Sequence, residues 1–141
     1  MTRRKKFTSY ITMLALAVMM VMSSLTVAKA GDSKTGFSLY TEAYYGKDYD
    51  VSDFAEKNSN KSVELSVDYS TGGFDYRVLG SNSSDGSSYE DCSNGYVYRI
   101  GNPSVEKMYN WVYEWGYDYA GLRVDAVNDS YTAQSGWFIP R

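Results

Sequence analysis

Apolar and polar residues alternate along most of this chain, with one region where a second period competes. Over TGFSLYTEAYY (35–45), Phe37, Leu39, Ala43 and Tyr45 share one face, and Ser38 and Glu42 lie on the other. Successive side chains of a strand point to opposite sides, so this spacing predicts a strand with one wet face. SVELSVDY (62–69) alternates without interruption, with Val63, Leu65, Val67 and Tyr69 inward and Ser62, Glu64, Ser66 and Asp68 outward. STGG (70–73) supplies glycines for a tight return, and Phe74, Tyr76 and Val78 resume the inward face. The stretch 62–80 therefore reads as a β-hairpin. YVYRI (96–100), AGLRVDAV (120–127) and YTAQSGWF (131–138) are further strands, the last two joined at NDS (128–130). Between the strands, 46–61 is a polar connection and the serine-rich 81–95 a long surface loop.

NWVYEWGYDYAG (110–121) is where the periods compete. With Tyr109 included, rings stand at 109, 111, 113, 115, 117 and 119, every second position. A helix fits 105–115 as well: Val105, Met108, Tyr109, Trp111, Val112, Tyr113 and Trp115 fill one arc of about 200° at about 100° per residue. Glu106, Lys107, Asn110 and Glu114 fill the remainder. Asn102 is placed as an N-cap, Pro103 at the first helical position and Gly116 at the stop. A short helix is the expectation and a strand the alternative. The helix would turn most of the arc into the core and leave Trp111 and Tyr113 at its edges.

The resulting fold class is mainly β: a single-domain antiparallel β-sandwich of six or seven strands with one short helix. Its expected core is Phe37, Leu39, Val63, Leu65, Val67, Phe74, Tyr76, Val78, Ile100, Val105, Met108, Val112, Leu122, Val124 and Trp137. Residues 1–30 stand apart as a signal peptide. Arg3, Arg4, Lys5 and Lys6 precede an apolar run at 11–22, and AKA (28–30) offers cleavage after Ala30. That run falls short of the roughly 20 residues a spanning helix needs. Secretion by a Sec-type route is the expectation, leaving 31–141 as the exported domain.

Removing the leader changes the electrostatics. Five of the 14 basic residues leave with it, so nine face 17 acidic ones, a formal −8. Nucleic acid and anionic bilayers are disfavoured as partners. The chain has no histidine, which removes Ser-His-Asp triads, Cys-His pairs and His-ligated metals. No glycine-rich phosphate loop is present, and no carboxylate pair is singled out by spacing. No catalytic residue, cofactor or metal site is assigned, and a non-enzymatic role is expected. Asp48, Asp50 and Asp53, like Asp85, Glu90 and Asp91, read as solvated acidic loops rather than a calcium site. The single cysteine, Cys92, is either a buried small hydrophobe or the link of a disulfide-bonded dimer.

Three stretches, TGFSL (35–39), VYEWGYDYAGLRV (112–124) and SGWFIP (135–140), together resemble the small secreted Gram-positive proteins grouped as bacteriocin-like, of the lactococcin type. The resemblance implies a secreted β-sandwich without assigned catalytic residues. Two functions follow as expectations. One is a non-enzymatic bacteriocin-like protein acting on an envelope protein or cell-wall component. The other is a carbohydrate- or peptide-binding surface module that stacks its ligand on exposed rings. For the second, Tyr40 and Tyr44 fall on the polar face of the first strand, and Trp111 is expected near enough to contribute; Tyr49 and Tyr89 are further candidates for exposure.

Overall fold

The alternating segments do form strands, and the strands sort into two antiparallel sheets. The computed structural model describes residues 33–141, so the predicted leader and its cleavage after Ala30 lie outside the described residues. One sheet has four strands in the order β1 (Thr35–Glu42), β10 (Tyr131–Ile139), β4 (Val63–Ser70) and β8 (Ser104–Met108). The other has six. Its main path is β2 (Tyr49–Val51), β9 (Tyr119–Ala126), β5 (Phe74–Ser81) and β6 (Glu90–Asp91). β3 (Ala55–Glu56) pairs with β9, and β7 (Tyr98–Ile100) with β5. The mainly β expectation holds, with ten strands among the described residues because four pieces of two or three residues join the longer ones.

Both sheets bury one face, and the buried faces supply a single hydrophobic cluster. Phe37, Leu39, Val63, Leu65, Val67, Met108 and Phe138 come from the four-stranded sheet, and Phe74, Tyr76, Val78, Ile100, Leu122 and Val124 from the other. At about 25 cal/mol per Å² of apolar surface removed from water, residues of this size each contribute roughly 1.5–3 kcal/mol.

The hairpin expected over 62–80 does not form. β4 and β5 lie in different sheets, and residues 71–73 carry the chain across the core between them. A buried polar cluster holds this crossing. The Gln134 amide donates to Ser70 Oγ at 2.6 Å, to the Gly72 carbonyl at 2.6 Å and to the Ile100 carbonyl at 3.0 Å. The Tyr76 hydroxyl donates to Gln134 Oε1 in turn. Burial without a charged partner pushes the Tyr76 phenol well above its usual range.

The helix expected within 103–115 is also absent. β8 occupies Ser104–Met108, and the helical hydrogen bonding that follows is one turn, from the Trp115 N–H to the Trp111 carbonyl at 2.9 Å. Gly116 does end that turn, at φ +79°. Among the described residues the only assigned helix is a 3₁₀ turn over Ala43–Tyr45. The β8 register explains the exposure of Val105. With Met108 opposite Val63, Val105 falls opposite Ser66 on the outer face, 62% exposed.

Other inward assignments fail at irregularities. The β4–β10 register shifts between Ser135 and Gly136, so that Asp68 is passed over and Tyr69 turns outward. The two strands approach so closely there that a Cβ on Gly136 would lie 2.0 Å from the Ser66 carbonyl oxygen. Trp137 is half-buried on the outer face, and Phe138 takes the core position. The inward parity of β10 is set by Thr132 and Gln134, whose polarity hides it from the pattern. Tyr45 leaves the inward face because β1 ends at Glu42.

Candidate functional site

The segment 108–113 keeps the period of two even though it leaves the sheet, and in the turn that follows Glu114 and Trp115 are both exposed. Met108, Asn110 and Val112 are buried; Tyr109, Trp111, Tyr113 and Trp115 point to solvent. The inward side chains and main-chain bonds fix the outward ones. Asn110 Nδ2 donates to the Met108 carbonyl at 3.1 Å. The Trp111 N–H donates to the Cys92 carbonyl at 2.8 Å, and the Tyr117 N–H to the Val112 carbonyl at 3.0 Å. Tyr98 Oη accepts the Tyr109 N–H at 2.8 Å, and burial raises the Tyr98 phenol. Tyr96 adds a fifth exposed ring, with its centroid 6.2 Å from that of Tyr109. The rings that a helix would have turned into the core therefore lie at the surface.

Beside Tyr109 is a pocket of about 550 Å³ lined by Asn60, Lys61, Ser62, Glu64, Lys107, Tyr109 and Arg141. Its walls come from three separate parts of the chain, and two buried polar side chains tie them together. Lys57 is 3% exposed, and its ammonium donates to the main-chain oxygens of Lys61 at 2.6 Å, Pro140 at 2.7 Å and Arg141 at 3.1 Å. Burial lowers the Lys57 pKa to about 8, with the Glu114 carboxylate acting in the opposite direction. Asn110 Nδ2 also reaches the Lys61 carbonyl, at 3.5 Å, linking the 58–62 loop to the end of β8. Inside the pocket Arg141 pairs with Glu64 at 2.8 Å. Lys61 and Lys107 are exposed and enter no ion pair among the described residues.

The other aromatic end of the molecule is arranged differently. Tyr40 is on the outer face of β1, 5.9 Å from Tyr131 between ring centroids, with the Lys47 ammonium 3.2 Å from its own centroid. Lys47 is itself paired with Asp50 at 3.2 Å, and Asp50 accepts the Tyr40 N–H at 3.0 Å. The Arg123 guanidinium lies 4.5 Å from the Tyr49 ring centre and is held by Asp125 at 2.6 Å. Tyr44 projects from the 3₁₀ turn with its edge on Tyr45, ring centroids 5.1 Å apart. Tyr44 and Trp111 lie off opposite ends of the four-stranded sheet. β1 runs toward Tyr44 at the end where Glu42 pairs with Tyr131, and Trp111 follows β8 at the end where Met108 pairs with Val63. Tyr40 and Tyr44 thus share one end, and Trp111 belongs to the other.

The remaining candidates have structural settings. Cys92 is fully buried in the core cluster, the setting of a small hydrophobe. Burial, with the Asp91 and Glu90 charges, pushes the thiol up to about 12. The serine-rich loop folds back so that Tyr89 stacks on Phe54, centroids 6.0 Å apart. Asp85 accepts the Ser87 N–H at 2.9 Å, and Asp91 pairs with Arg77 at 3.1 Å. Among the described residues no three carboxylate or cysteine side chains gather where a metal ion could be held, and no helix is long and apolar enough to cross a membrane. No protein-family model matches the chain, and no curated protein or solved structure is significantly similar to it.

Proposed function

We propose that this chain is a secreted, non-enzymatic β-sandwich that binds a saccharide-rich component of a cell envelope through exposed aromatic rings. The observation that carries this reading is the run of exposed rings Tyr109, Trp111, Tyr113 and Trp115, with Tyr96 beside the first of them. All five are exposed, and main-chain bonds and the buried Met108, Asn110 and Val112 fix the backbone of the segment that carries four of them. Single exposed rings are ordinary, but a group of them held by a rigid backbone is the arrangement that binding surfaces use. The formal −8 of the exported part favours a wall or protein target over an anionic lipid surface. The likeness to bacteriocin-like proteins adds the expectation that the envelope is a competitor's, which spotting the purified protein on lawns of related Gram-positive strains addresses.

The binding itself is tested by retention on insoluble peptidoglycan and wall polysaccharide. Trp111→Ala/Trp115→Ala should abolish retention while the fold remains intact by circular dichroism. Tyr40→Ala/Tyr44→Ala should leave it unchanged. Failure of the parent protein to be retained on any of these polymers would remove the reading.

A further inference from the structure

We infer that the pocket beside Tyr109 is a subsite for an anionic saccharide, with Lys61 and Lys107 as its charge partners and the Tyr109 ring as its wall. This inference rests on the wall-binding reading and narrows it to one ligand chemistry. A pocket of about 550 Å³ falls within the range of roughly 300–1,000 Å³ typical of small-molecule sites.

The charge argument is local. In a domain with an excess of carboxylates, three cationic side chains, Lys61, Lys107 and Arg141, line one pocket with a single acidic side chain, Glu64. Arg141 occupies that acid at 2.8 Å, which leaves the two lysines to meet an incoming anion. The other carboxylates nearby are not among the lining residues. Glu106 is opposite Leu65 in the β4–β8 register, not on the outer face with Lys107, and Glu114 does not line the pocket, although its charge reaches the buried Lys57 behind the wall. Asn60 and Ser62 add neutral hydrogen-bonding groups suited to sugar hydroxyls, and Tyr109 adds an apolar ring face that a bare inorganic anion would not use.

The construction of the walls also points to a ligand site. Lys57 binds the main-chain oxygens of two lining residues, Lys61 and Arg141, and Asn110 binds the first of these as well. A buried ammonium and a buried amide thus hold Lys61 and Arg141 in fixed relation to the end of β8 that carries Lys107 and Tyr109. Fixing such groups before binding reduces the ordering cost that binding must overcome. Charge on the saccharide could be a carboxylate, as on a uronic acid, or a phosphate, as on a sugar-substituted glycerol-phosphate polymer.

The test is calorimetric titration of the natural protein with oligogalacturonate, glycosylated glycerol-phosphate oligomer, inorganic phosphate and neutral chitotetraose. One or both anionic saccharides should bind, salt should weaken them, and chitotetraose and phosphate should bind at least about tenfold more weakly. Which anionic arm binds identifies the charged group. Lys61→Ala/Lys107→Ala, both exposed positions, should lose about tenfold or more in affinity with an unchanged melting temperature. Tyr109→Phe should retain binding, and Tyr109→Ala should lose it. Equal affinity for chitotetraose, phosphate binding as tight as that of the saccharides, or an unchanged lysine double variant would overturn the inference. If neutral glycan binds and only Trp111→Ala/Trp115→Ala removes it, the inference falls and the wall-binding reading stands. If no glycan of either kind binds, both fall.

Discussion

The two ends of the four-stranded sheet both carry tyrosines and basic side chains, but they use them in opposite ways. At the Tyr40 end the cations cover the rings: Lys47 lies over Tyr40, and on the six-stranded sheet Arg123 of β9 lies over Tyr49 of β2, each neutralised by an aspartate. Those contacts are internal, and they leave the ring faces already engaged. At the Tyr109 end the rings and the lysines stand apart, with the rings facing solvent and Lys61 and Lys107 lining a pocket next to them. Similar residue types therefore give a self-satisfied surface in one place and a surface open to a ligand in the other. What separates the two is whether an acid lies within reach of each cation.

The largest effect expected is on the buried polar support of the Tyr40 end. Gln134→Ala removes the donor to Ser70, Gly72 and Ile100 and the acceptor of the Tyr76 hydroxyl. Leaving buried polar groups without partners costs about 1–3 kcal/mol each, so a loss of about 3 kcal/mol or more is expected in urea unfolding. Wall retention, which depends on the opposite end, should survive in whatever fraction remains folded. A variant with parental stability would show that the crossing between β4 and β5 does not need this cluster.

The support of the Tyr109 end has an alkaline signature. The folded pKa of Lys57 is lowered from 10.5 to about 8, so between those values the unfolded chain binds more protons than the native one. Stability from this group must rise with pH across that window, by at most about 3 kcal/mol in total and about 1 kcal/mol by pH 9. Cys92 acts oppositely: its pKa is raised from 9.0 to about 12, so its contribution is complete below 9.0 and is lost as pH climbs toward 12. Thermal melts should therefore gain stability from pH 8 to 9 and turn downward above it. Lys57→Met should flatten the rise, and Cys92→Ala should delay the fall. A monotonic decline from pH 8 in the parent protein would contradict the buried ammonium. In Lys57→Met, hydrogen exchange at 58–62 should also accelerate, while exchange in β1 should not.

Smaller effects separate the ring surfaces themselves. Lys47→Ala should cost about 0.5–1 kcal/mol, the range of an exposed cation–π contact, read as a modest drop in melting temperature. Trp111→Ala/Trp115→Ala should change stability by no more than about 0.5 kcal/mol, since neither ring reaches the core. A destabilisation well beyond that from the tryptophan pair would mean that these rings serve packing, and the contrast between the ends would be lost.

The strand pattern was legible wherever one face was uniformly apolar. In Phe37 and Leu39, in Val63, Leu65 and Val67, and in Leu122 and Val124, burial follows the alternation because hydrophobic burial at period two has one solution. The same period separates Tyr109, Trp111 and Tyr113 from the buried Met108, Asn110 and Val112. Whether the ring-bearing face points inward was not legible. A helix with caps at Asn102 and Gly116 fitted the local pattern better than a strand, and only the pairing of Met108 with Val63 carried β8 to the end of its sheet. The candidate site was partly visible, through Trp111. The pocket was not, because Lys57, Lys61, Lys107 and Arg141 carry no common spacing and meet only through β4, β8 and the chain beyond β10.

By itself, then, the sequence determined the β class and most inward positions, since those depend on local alternation and on the need to remove large apolar side chains from water. It could not determine which sheet each strand would enter. A hairpin and a crossing between sheets impose the same alternation on 62–80, and both accept glycines at 72 and 73. The tertiary structure decided between them through Gln134, a residue some sixty positions away in the chain that bonds Ser70, Gly72 and Ile100 at once. It likewise decided that Tyr40 and Trp111 lie at opposite ends, because strand order and register are properties of long-range pairing, to which local periodicity is indifferent.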